Sequence, residues 1–153
     1  MKTKSIIFYA DDDHDDQEIF KNALHDIEYD ADLYFQNHGE ELLNDLRYHS
    51  VVPNLIFLDL NMPGRTGFHI LQEIREMKEF CNIPIIILST TSDPVAAHRA
   101  KNLGANLFIT KPVIYTQFIA LMKIVMSMDW FNICEDKQPF YINISQSTIV
   151  KAS

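Results

Sequence analysis

Several things are scarce in this chain of 153 residues. Cysteine occurs twice, at Cys81 and Cys134, with no CxxC and no Cys/His spacing. That excludes a disulfide framework and the common zinc modules, and suits two reduced thiols in a cytosolic protein. Basic charge is in deficit: 13 Lys and Arg stand against 21 Asp and Glu, a formal net charge of −8. Such a balance argues against direct binding of nucleic acid. Long apolar runs are missing too, since no segment approaches the ~18–20 residues of a membrane span. Lys2 and Lys4 precede only the short run Ile6 to Ala10, too brief for a signal-peptide core, so that run reads as a first strand. There is no internal repeat and no low-complexity segment. With 47% apolar residues the chain can still bury the core of one domain.

The most informative stretch is Leu55-Ile56-Phe57-Leu58-Asp59-Leu60-Asn61-Met62-Pro63-Gly64. An apolar run meets a lone aspartate and then a Pro-Gly turn. A strand buried on both faces has this appearance, and Asp59 falls at its carboxyl end. In open parallel sheets that end is where ligands bind.

The rest of the chain repeats the theme. Ser5–Ala10 is an apolar strand that ends in Asp11-Asp12-Asp13. Helices are expected over about 15–27, 39–49, 67–78, 94–103 and 115–128, each with an apolar stripe at helical spacing. Asp15, Asp16 and Glu18 suit the positive end of the first helix. Further strands are expected at 33–36, 83–88 and 106–110. Five strands alternating with five helices imply α/β architecture, a doubly wound parallel sheet with helices on both faces.

Parallel strands all point their carboxyl ends to one edge. Strand one brings Asp11 and Asp12, strand three Asp59, strand four Ser89 and Thr90, and strand five Lys111. Two carboxylates ~5 Å apart repel by roughly 3 kcal/mol at an effective dielectric of ~20. Three cannot all stay ionised unaided, so one holds a proton or a cation binds. An all-oxygen donor set selects a hard cation, and a few carboxylates plus water suit Mg²⁺. A carboxylate beside Mg²⁺ can attack phosphorus, with Lys111 and Ser89 available to the phosphoryl oxygens.

In these residues the chain resembles the receiver domains of two-component response regulators, over about residues 4–128. The carriers are the acidic pair Asp11 and Asp12, Asp59 within Leu-Asp-Leu-Asn-Met-Pro-Gly, Ser89 after strand four, and Lys111-Pro112 after strand five. The resemblance implies the flavodoxin-like sheet order 2-1-3-4-5. It implies that a histidine kinase or histidine phosphotransfer protein donates a phosphoryl group to Asp59. Asp12, Asp59 and the Asn61 carbonyl would hold Mg²⁺, with Asp11 acting directly or through water. Lys111 would pair with the phosphoryl oxygens, Ser89 would turn inward to them, and Phe108 would occupy the aromatic switch position, moving inward as Ser89 moves. The Lys111-Pro112 bond is expected to be cis.

Three positions depart from the family pattern. Thr90 replaces a small residue, which narrows access to Asp59. Thr66 replaces a common acid, and Phe108 has no hydroxyl. No DNA-binding or catalytic output segment follows, so the reading is a stand-alone cytoplasmic switch that signals by protein–protein binding. A pseudo-receiver, a phosphorelay shuttle and, remotely, a haloacid-dehalogenase-like phosphatase are the alternatives. Residues 129–153 lie outside the resemblance. Phe140 and Ile142 alternate with Tyr141 and Asn143, so this tail is expected to add a strand to a sheet edge, in its own chain or in a homodimer.

Overall fold

The computed structural model describes residues 3–130, 139–143 and 148–151. Cys134 lies outside them. The elements are β1 (Ser5–Ala10), α1 (His14–Asp26), β2 (Ala31–Gln36), α2 (Gly39–Tyr48), β3 (Leu55–Leu58) and α3 (Gly67–Glu76). They continue with β4 (Ile85–Ser89), α4 (Pro94–Asn102), β5 (Leu107–Thr110), α5 (Tyr115–Ser127), β6 (Pro139–Asn143) and β7 (Thr148–Lys151).

The sheet order is β2-β1-β3-β4-β5-β6-β7. Its first five strands are parallel, in the order expected from sequence. β6 joins β5 in parallel, with Phe108 opposite Tyr141, and β7 returns antiparallel to β6. The chain thus supplies its own neighbour to β5.

Side chains alternate across a strand, which divides the core in two. Phe8, Ile56, Leu58, Ile85, Ile87 and Phe108 pack on one face with Leu42, Leu43, Ile70, Leu71 and Ile74 of α2 and α3, and with Ala97 and Ala100 of α4. Ile7, Tyr9, Phe57, Ile86, Leu88 and Ile109 pack on the other with Phe20 and Leu24 of α1 and Phe118, Leu121 and Val125 of α5. Every residue of β3, β4 and β5 is buried, as a strand covered on both faces requires.

One close approach fixes the segment that follows Asp59. A Cβ on Gly67 would stand 2.6 Å from the Asp59 carbonyl oxygen and 2.7 Å from Leu60 Cα. Only glycine lets α3 begin there, and the Gly67 amide donates to the Leu60 carbonyl at 3.1 Å. Gly64, at φ 84°, makes the turn before it.

Candidate functional site

β1 and β3 are adjacent and parallel, so their carboxyl ends put Asp11, Asp12 and Asp59 side by side. Each offers a carboxylate oxygen within 4.8 Å of the others. Asp11 is fully buried, Asp59 is 5% exposed, and Asp12 is open to solvent. The Asn61 amide donates to Asp59 Oδ1 at 3.2 Å, which turns the loop and leaves Asn61 exposed beside the acids.

Asp11 is held from several sides. Its Oδ1 accepts from the Asp13 amide at 2.9 Å. Its Oδ2 accepts from the buried Tyr9 phenol and from Lys111 Nζ, the latter at 2.7 Å. Lys111 reaches it from β5, where its own amide extends the ladder to the Ser89 carbonyl at 2.7 Å. Lys111 Nζ also donates to Asp16 Oδ2 at 2.8 Å and lies 3.8 Å from Asp59 Oδ2. Asp16 comes from the first turn of α1. Asp13 caps that helix, accepting from the amides of Asp15 and Asp16.

The electrostatics follow from this crowding. Burial raises the Asp59 pKa to about 7; Asp11 and Asp12 push the same way, and Lys111 and the Asn61 amide oppose. Burial works against the Lys111 ammonium, but Asp59 and the bonds to Asp11 and Asp16 outweigh it and raise its pKa. Burial, and then Asp11, drive the Tyr9 phenol upward. A divalent cation bound by oxygen ligands would relieve the repulsion among the acids, so the donor set fits a hard cation.

Ser89 is fully buried at the end of β4, and its Oγ accepts from the Thr91 amide at 3.3 Å. Thr90 is exposed. Phe108 is fully buried, its ring 5.6 Å from that of Tyr141 in β6. Phe108 packs within the core, and β6 lies beside it. The Lys111-Pro112 peptide is trans, as are all those described, and this corrects the expectation of a cis bond. The β4–β5 ladder and two carboxylates aim Lys111 without one.

Three residues to which the sequence pattern assigns no role at the site belong to this edge. Tyr9 and Asp16 bear on Asp11 and Lys111. Tyr141 bears on the segment after β4: its hydroxyl lies 3.1 Å from Thr110 Oγ1, donates to the Ser92 carbonyl at 3.4 Å and accepts from Asn143 Nδ2 at 3.2 Å. Thr110 Oγ1 in turn donates to the Thr91 carbonyl at 2.9 Å. A groove of about 750 Å³ lies elsewhere, along β2 beside Lys21, His25 and Tyr34. The site is an acidic cup at the sheet edge, with Asp11 and Asp59 buried and Asp12 open to solvent.

Comparison with known proteins places this geometry. The model of the response regulator receiver domain matches residues 7–123. The chain belongs to that family. Receivers are signalling switches rather than conventional enzymes. The two-component response regulator ARR9 of Arabidopsis thaliana is 41% identical over 66 residues, which cover 42% of this chain and 28% of that protein. The probable transcriptional regulator ycf27 of Guillardia theta is 30% identical over 112 residues, 73% of this chain and 41% of that one. The receiver therefore corresponds to less than half the length of either relative. Among solved structures, the phosphorylated cyanobacterial phytochrome response regulator RcpA superposes with a TM-score of 0.78 at 26% identity, covering 85% of this chain and 96% of its own. No helix among the described residues is long and apolar enough to cross a membrane.

Proposed function

We propose that this receiver is a phosphorylation-dependent switch whose acceptor is Asp59. The observation that carries the reading is the juxtaposition of Asp59 with Asp11, Asp12 and Lys111 at one sheet edge, from three separate strands. A histidine kinase or a histidine phosphotransfer protein is the donor. An Asp59 carboxylate oxygen forms a bond to phosphorus while the phosphorus–nitrogen bond of the phosphohistidine breaks, and its electron pair leaves with the imidazole. Acceptance needs Asp59 ionised, which its burial beside Asp11 and Asp12 opposes in the metal-free site. Asp12, Asp59 and the Asn61 carbonyl would hold Mg²⁺, with Asp11 helping directly or through water. When bound, Mg²⁺ offsets the carboxylate charge and that of the phosphoryl oxygens. Lys111 and the Ser89 hydroxyl complete the phosphoryl contacts.

The output is binding to a protein partner in the cytoplasm. The response passes through the segment after β4 to α4, β5 and the tail strand β6, a packed unit able to hold two arrangements. The C-terminal tail (129–153) is a separate element appended to the receiver (1–128), and its strands cover the β5 edge or, by exchange, serve as a homodimer arm.

The deciding experiment treats the protein with a small acyl phosphate, with and without Mg²⁺, and reads intact mass. The expected result is a Mg²⁺-dependent gain of one phosphoryl group that Asp59→Asn abolishes. Persistent Mg²⁺-dependent labelling of that variant would sink the assignment. An absence of any adduct would favour a pseudo-receiver that binds partners without phosphorylation.

A further inference from the structure

Lys111 is shared unevenly among the acids around it. Its two short contacts, 2.7 Å to Asp11 and 2.8 Å to Asp16, go to carboxylates that accept no phosphoryl group, and Asp59 is the distant partner at 3.8 Å. Asp11 is a fixed floor, because Tyr9, Asp13 and Lys111 occupy its two oxygens. Asp16 differs. It stands on α1 rather than on a strand end, its side chain is 30% exposed, and its carboxylate lies outside the cluster of Asp11, Asp12 and Asp59.

We propose that Asp16 is a positioning residue that parks Lys111 away from Asp59 and so weakens the hold of the site on a phosphoryl group. The proposal rests on Asp59 being the phosphoacceptor. A phosphoryl group on Asp59 draws the ammonium toward its oxygens. Lys111 must then loosen its bond to Asp16, and the Asp16 carboxylate is left facing a second anion. Both effects oppose the phosphorylated form. The Asp16 charge has the opposite effect on a cation at the acidic cup, which it attracts from nearby. Asp16 thus favours the metal-bound, unphosphorylated site.

These opposite signs provide the test. Calorimetric titrations would measure Mg²⁺ affinity and, at saturating Mg²⁺, affinity for beryllofluoride as the phosphoryl analogue, in the native protein and in Asp16→Asn. Asn keeps the shape and removes the charge. The expectation is beryllofluoride binding tighter by about tenfold, screened by the exposure of Asp16, with Mg²⁺ binding weaker by about threefold. Asp16→Glu restores the charge and should return both affinities toward native values. A merely structural disturbance would weaken both ligands together. Unchanged or weaker beryllofluoride binding in Asp16→Asn would overturn the proposal. If the Asn variant does not fold, Asp16→Ser carries the same measurement. Failure of the native protein to bind beryllofluoride with Mg²⁺ would instead overturn the phosphoacceptor reading.

Discussion

Asp59→Asn should make the metal-free protein more stable at alkaline pH, and the site itself sets how much. Asp59 ionises near pH 3.8 in an unfolded chain and near 7 in the fold, chiefly because it is buried beside Asp11 and Asp12. A folded pKa above the unfolded one means that the contribution to stability is fully present below pH ~4 and is lost as pH rises through 7. Three units at ~1.4 kcal/mol each set the full loss at about 4 kcal/mol, of which more than half falls between pH 5 and 8. Asn is neutral throughout and can still accept from the Asn61 amide through its own Oδ1, so the variant escapes that loss. The assay is urea unfolding in chelator at several pH values, with the difference between the two proteins as the readout. The variant should gain on the native protein by about 2–3 kcal/mol from pH 5 to 8. Mg²⁺ should then stabilise the native protein by mass action, by about 2.7 kcal/mol at a hundred times its dissociation constant, and the variant far less. Parallel pH profiles, or a variant less stable at pH 8, would refute the claim that the fold strains to keep Asp59 charged.

Three further predictions concern the frame. Arg75 on α3 donates to the carbonyls of Phe80, Cys81, Ile83 and Gly104 and to Asn106 Oδ1, tying α3 to the segments that enter β4 and β5. Arg75→Met keeps the stem but leaves those acceptors unmet, so the urea midpoint should fall by the equivalent of about 2–4 kcal/mol with an unchanged slope; a loss under ~0.5 would contradict it. Tyr141→Phe removes the hydroxyl shared by Thr110, Asn143 and Ser92 and should cost about 1–2 kcal/mol, with faster amide exchange in β6 and after β4 as its signature. Ending the chain after Met128 should expose Phe108 and the β5 edge, lowering stability; unchanged stability and mass in solution would deny the tail a structural role.

What the sequence disclosed, and what it hid, divides along a physical line. Buried parallel strands announce themselves as continuous apolar runs, so β1, β3, β4 and β5 could be read directly, and parallel topology then carried Asp11, Asp59, Ser89 and Lys111 to one edge. Side-chain pairing leaves no such periodic trace. An acid in the first turn of α1 reads the same whether it only faces the helix dipole or grips a lysine 95 residues away, and so Asp16 could be read only as a partner of the helix dipole. Tyr9 was hidden in the same way, because an aromatic residue in a buried run reads as core until its hydroxyl is seen to end on Asp11. The tail shows the converse. Alternation at Phe140 and Ile142 signalled a strand but could not name its neighbour, and pairing with β5 brings Tyr141 against Phe108 and the Ser92 carbonyl. Chemistry at Asp59 would therefore reach the surface through residues that are unreadable one at a time. The hydroxyls and carbonyls linking Thr91, Ser92, Thr110 and Tyr141 form a polar seam between the acidic cup and the tail, and any shift after β4 must be felt there.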